Sequence, residues 1–140
     1  MGSAITDAQG NLVSSGAGIP AFVGMLDKAT KRLFETFKTK TLYPGDILAV
    51  NDPYKGGVTH LNDMVLAQPC FVGDTIVAWT VNIAHWQDVG GKSPGSMSAD
   101  ATDLFQVPVV AHIFLLPKSP ISMGRLKVVG IVTGGATEAK

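Results

Sequence analysis

Met64–Val72 and Thr75–Ile83 are two apolar runs rich in β-forming residues, and only Gly73-Asp74 separates them. Two such runs joined by two residues with glycine first predict an antiparallel hairpin with a type II′ turn. A turn at that place fixes the pairing: position n on the first arm faces position 147 minus n on the second, so Asp63 is expected opposite Ala84 and Asn62 opposite His85. The open end of the hairpin then receives both copies of a repeated H-x-x-D spacing, His60/Asp63 and His85/Asp88. Directly opposed residues lie about 5 Å apart, a span that one metal ion or bound substrate bridges. Two imidazoles and two carboxylates form a ligand set suited to Zn, Mn or Fe(II).

Glycine-rich loops flank both pairs. Asn51-Asp52-Pro53-Tyr54 followed by Gly56-Gly57 reads as a compact turn, in which Asp52 is either an Asx-turn carboxylate or a further oxygen donor to the site. Val89–Gly95, with Gly90, Gly91 and Lys92, lacks the G-x-x-x-x-G-K-[ST] spacing of a nucleotide loop. It is expected instead to present backbone N–H groups to an anionic or amide substrate. The bland alternative for each H-x-x-D pair is local bracing, the carboxylate holding its own imidazole. The functional reading is a centre in which two histidines and one carboxylate hold a divalent metal, leaving the second carboxylate as general base or as orienter of an imidazole. No G-x-S-x-G, S-x-x-K or H-E-x-x-H motif supports a serine or zincin route, so metal-assisted polarisation of a carbonyl is the simplest chemistry.

The remaining elements are short. Phe22, Leu26, Ala29, Leu33 and Phe37 form one apolar stripe and predict a helix over Phe22–Phe37, behind Pro20 and ahead of Pro44-Gly45. Ala4–Thr6, Leu12–Ser14, Ile47–Val50, Val107–Leu116 and Leu126–Val132 read as strands, and Ser98–Leu104 as one or two helical turns. The result is an α+β fold, an antiparallel or mixed β-sheet with one main packing helix. His112 lies in an apolar run and reads as a core or edge residue; Cys70, the single cysteine, reads as a buried thiol and excludes an internal disulfide. Eleven basic residues balance eleven acidic ones, so neither nucleic acid nor an anionic membrane is an expected partner. No apolar run is long enough to cross a bilayer, and MGSAITDAQG lacks the features of a secretory signal, which makes cytoplasm the expected location.

Asn51–Met64, NDPYKGGVTHLNDM, resembles the N-D-P-Y-x-G-G-T-H-x-x-D signature of the hydantoinase B family, and Ala84–Gln106 resembles that family's H-x-x-D-x-G-G-x-x-P-G-S-M block. The family includes B-type subunits of ATP-dependent hydantoinases, the matching half of 5-oxoprolinase, and large subunits of acetone and acetophenone carboxylases. The resemblance covers about residues 4–106, and residues 1–106 are read as a partial catalytic segment. Residues 107–140, a divergent apolar strand region and tail, do not align, and Val58 lengthens the glycine loop by one residue. Members are several times longer, so the chain is fragment-like relative to the family. The resemblance implies that His60, Asp63, His85 and Asp88 line a metal-containing centre with Asp52 close by, and that Gly56, Gly57, Gly90 and Gly91 shape its walls. It implies a small-molecule substrate and an A-type partner subunit that binds ATP, a homo-oligomer also being compatible. Hydrolysis of a cyclic amide is the leading activity, with carboxylation of a ketone or a truncated, non-catalytic assembly module as alternatives.

Overall fold

A computed structural model describes residues 1–16, 18–37, 42–87, 99–102, 106, 113–116 and 127–129. Its elements are β1 (Gly2–Asp7), β2 (Leu12–Ser15), α1 (Pro20–Thr36), β3 (Ile47–Val50), β4 (Asp63–Val72), β5 (Thr75–His85), β6 (Ile113–Leu116) and β7 (Lys127–Val129). The strands form one sheet in the order β2-β1-β5-β4-β3-β6-β7, and every pairing is antiparallel. Helix α1 covers one face, so the fold is α+β as expected. Among the described residues no helix is long and apolar enough to cross a membrane.

Helix α1 begins at Pro20, whose fixed φ suits a first helical position and whose missing N–H costs nothing there. It ends where Phe37 N–H donates to the Leu33 carbonyl at 3.0 Å. The stripe read from the sequence is the buried one: Leu26, Ala29, Leu33 and Phe37 pack with Leu48, Val50, Val65, Ala67, Trp79, Val81 and Ile83 from the central strands. Each large apolar side chain so covered contributes about 1.5–3 kcal/mol, far more than the exposed pairs Lys31–Asp27 and Arg32–Glu35 on the outer side of the helix.

The central hairpin turns at Gly73-Asp74, with Gly73 at φ +58°, but its register departs from the simple expectation. Val72 pairs with Thr75 and Phe71 with Ile76, after which Cys70 pairs with Ala78, leaving Val77 as an extra residue in β5. Every later pair is therefore displaced by one: Asp63 faces His85 and Met64 faces Ala84, not Asp63 with Ala84 and Asn62 with His85. Side-chain parity explains the bulge. A tight turn alone would set Trp79 against Gln68 and pack Thr80 and Asn82 beside Val65 and Ala67. One extra residue instead puts Pro69, Ala67 and Val65 with Trp79, Val81 and Ile83 toward α1, and Gln68 with exposed Thr80 on the other face. Cys70 falls on that other face as well and is half-buried. Because Val77 pairs with nothing across the strand, its deletion should leave Asp63 opposite His85; cross-strand nuclear Overhauser contacts between those residues should survive, and their loss would refute this account of the register.

Candidate metal centre

The bulge has a chemical consequence at the open end of the hairpin. His60 lies in the turn before β4, Asp63 opens β4, and His85 closes β5 directly across from it. Asp63 N–H donates to the His60 carbonyl at 3.0 Å, which folds His60 back toward the carboxylate. His60 Nε2 lies 3.1 Å from Asp63 Oδ1, His85 Nδ1 lies 3.0 Å from the same oxygen, and the two nitrogens are 3.0 Å apart. Asp63 is fully buried, whereas the two imidazoles keep 48% and 34% of their side-chain surface open. The site is thus floored by a carboxylate and reached from solvent past the histidines.

Neighbouring residues hold this arrangement. Thr59 Oγ1 donates to Asp63 Oδ2, leaving Oδ1 for the imidazoles. Asn51, buried at the end of β3, donates from Nδ2 to the Leu61 carbonyl at 2.7 Å and so ties the His60–Asp63 turn to the sheet. One pair beyond the strands, Trp86 N–H donates to the Asn62 carbonyl at 2.7 Å and Asn62 Nδ2 to the Trp86 carbonyl at 3.2 Å, clasping the open end. Sequence reasoning missed Thr59, Asn51 and Asn62 in these roles; Thr59 and Asn62 directly precede His60 and Asp63, whereas Asn51 acts from the end of β3 with no such signal.

The Asp52 loop is built against the helix. Asp52 Oδ1 accepts from Tyr54 N–H at 2.8 Å and Lys55 N–H at 3.1 Å, an Asx turn, while its buried Oδ2 has no hydrogen-bond partner among the described residues. A Cβ on Gly57, whose φ is +80°, would come 2.9 Å from Ala29 N in α1, and one on Gly56 would come 2.5 Å from the Asp52 carbonyl. These glycines let the loop lie against α1 and close on itself. Asp52 is not among the residues that converge on one point; those are His60, Asp63 and His85. Asp88, Gly90, Gly91, Lys92 and His112, with Ser98, Asp103 and Leu104, lie outside the described residues; between them Ala99 and Asp100 form a turn.

The donor set fits a divalent cation. With metal–donor bonds of about 2.1 Å, adjacent donors are about 3.0 Å apart around an octahedral ion and about 3.4 Å apart around a tetrahedral one. The three donor atoms lie 3.0, 3.0 and 3.1 Å from one another, close enough together to face one such ion. A buried carboxylate also needs compensation, and among the described residues its potentially cationic neighbours are the two imidazoles.

The family model described as hydantoinase B/oxoprolinase matches residues 1–119. The chain belongs to that family. This hydantoinase B/oxoprolinase chain is 30% identical over 119 residues to 5-oxoprolinase from Saccharomyces cerevisiae, a match covering 84% of the chain and 9% of the yeast protein. It is also 30% identical over 103 residues to the caprolactamase subunit beta of Pseudomonas jessenii, covering 74% of the chain and 17% of that subunit. The crystal structure of that ATP-dependent caprolactamase superposes with a TM-score of 0.59 at 31% identity, over 66% of this chain and 16% of the other. A nucleotide-free acetone carboxylase, from a study of ATP-dependent acetone carboxylation, superposes with a TM-score of 0.60 at 26% identity, over 69% and 13%. The chain therefore spans under a fifth of the length of the curated relatives it matches.

Proposed function

We propose that this hydantoinase B/oxoprolinase segment contributes the metal-supported centre of an ATP-dependent hydrolase of cyclic amides, in the cytoplasm, with ATP bound by an A-type partner. The observation that carries this reading is the convergence of His60 Nε2, His85 Nδ1 and Asp63 Oδ1. These three atoms would hold the ion, a donor set suited to Zn, Mn or Fe(II). When bound, the ion supplies Lewis-acid polarisation of a substrate carbonyl. The chain's own residues do the rest: Asp63 brings a negative charge to a water-excluded floor, Thr59 and the Asn51–Leu61 bond keep that floor in place, and the exposed edges of His60 and His85 leave an approach for a small amide. Work inside a larger assembly is supported by the short span of the match.

Metal analysis of the purified chain is expected to find a bound divalent ion that is lost in both His60→Ala and His85→Ala; unchanged content in both variants would defeat the site. The similar likeness to acetone carboxylase favours ketone carboxylation as a second reading. ATP-dependent turnover of 5-oxoproline, hydantoins and simple ketones, with and without an A-type subunit, separates the two. A metal-free chain inactive on all of them would instead be an assembly module.

A further inference from the structure

We propose that Gly57 is a positioning residue: the seat it takes on the backbone of α1 sets where His60 stands, so that the helix places one of the three donor atoms. Gly57 meets the helix backbone to backbone. A Cβ there would lie 2.9 Å from Ala29 N and 3.1 Å from the Lys28 carbonyl carbon. Ordinary contact begins about 0.5 Å further out, and a constellation of ligands works only when it is held to about 0.5 Å. The helix does not yield that distance, because its hydrogen-bonded ladder and its packed stripe of Leu26, Ala29, Leu33 and Phe37 hold it on the sheet. The loop has to move instead.

From Gly57 the chain reaches His60 in three residues with little slack. Val58 is buried in the cluster beneath α1, Leu61 is buried and held by the Asn51 amide, and Asp63 is already in β4. Thr59 and His60 are the exposed members of this segment, so a shift imposed at Gly57 emerges at them. It can be read without any metal, because the His60 and His85 rings stand edge to face with centroids 4.9 Å apart and planes at 88°. Gly10 supplies the control. Its φ is +85° against +80° for Gly57, and a Cβ on it would lie 2.8 Å from Lys31 N in the same helix. Gly10 sits in the β1–β2 turn, however, beyond Asp7, which pairs with Ala78 at the other end of β5 from His85.

Gly57→Ala and Gly10→Ala therefore strain similar torsions and press on the same helix, one near the site and one far from it. In the 140-residue chain, only Gly57→Ala is expected to lower Mn(II) affinity, by about 10- to 100-fold, as when an outer support of a ligand is lost. Only Gly57→Ala should also weaken the nuclear Overhauser contacts between the carbon-bound ring protons of His60 and His85 in the metal-free chain. Gly57→Asn tolerates positive φ better than alanine yet carries the same Cβ, so it should behave like Gly57→Ala, which ties the effect to the contact with α1 rather than to torsion. The affinity part rests on the metal-centre reading, whereas the ring contacts do not. Wild-type affinity and ring contacts in both Gly57 variants overturn the proposal, as does an equal loss in Gly10→Ala. Gly57 variants that are unfolded by circular dichroism while Gly10→Ala is folded overturn it too, since the residue would then serve stability alone. If wild type binds no Mn(II), the metal reading fails on that result, and the ring contacts still decide the role of Gly57.

Discussion

Trp79→Ala should destabilise the chain by about 3–5 kcal/mol, the range for emptying a large aromatic site in a core. Trp79 is the largest of the fully buried side chains and packs in the cluster that joins α1 to the central strands. Its indole N–H donates to the Ala8 carbonyl at 3.2 Å, so the same side chain ties the β1–β2 turn to the core. Alanine removes both contributions, and helix and strands cannot close over so large a void without breaking the antiparallel ladder. Single domains have only about 5–15 kcal/mol in all, so a urea melt should show the midpoint displaced by a large fraction with the slope little changed. Trp79→Phe keeps most of the ring and loses the bond to Ala8; it should cost distinctly less. A loss below about 1 kcal/mol for alanine, the level of an ordinary surface change, would mean that the bulge does not direct this residue inward.

That bulge marks where legibility from the sequence stopped. The turn at Gly73-Asp74, the apolar stripe of α1 and the short strand Ile47–Val50 all depend on local chemistry, and all are present. Register depends on matching faces between two arms. Gln68 lies on an even position and so do Thr80 and Asn82; pairing even with even needs an even sum, whereas a turn at 73–74 imposes the odd sum of Val72 with Thr75. One extra residue, Val77, satisfies both. The site was legible in part for a related reason. The repeated H-x-x-D spacing brought His60, Asp63 and His85 forward as candidates, and they do converge, but the bulge is what sets Asp63 squarely against His85. Thr59 and Asn51 were not legible, because a hydroxyl or amide supporting a ligand looks like any polar loop residue until its partner is known. Of Val107–Leu116 the described residues are Ile113–Leu116, and these are a strand paired with β3, as the apolar run suggests.

Asp63→Asn should remove metal binding more thoroughly than loss of any supporting contact while leaving the fold in place. Asparagine has nearly the same shape as aspartate, and Thr59 can still donate to its amide oxygen. The amide NH2 would then face His60 Nε2 and His85 Nδ1, two nitrogens able to accept, so a buried polar group remains satisfied and the chain should melt close to wild type. Metal binding answers differently. The amide nitrogen is not a ligand, and if the amide turns over, its oxygen arrives without the negative charge that offsets a divalent cation in a buried floor. Loss of an outer support costs about 10- to 100-fold in affinity, so removal of the anionic donor itself should exceed about 100-fold, read by calorimetric titration of Mn(II) into the metal-free chain. Near-wild-type melting with abolished binding would separate a metal centre from mere bracing of the turn, because a bracing carboxylate replaced by a satisfied amide has nothing further to lose. Retention of wild-type affinity would instead remove Asp63 from the ligand set and leave the two imidazoles as neighbours without a common task.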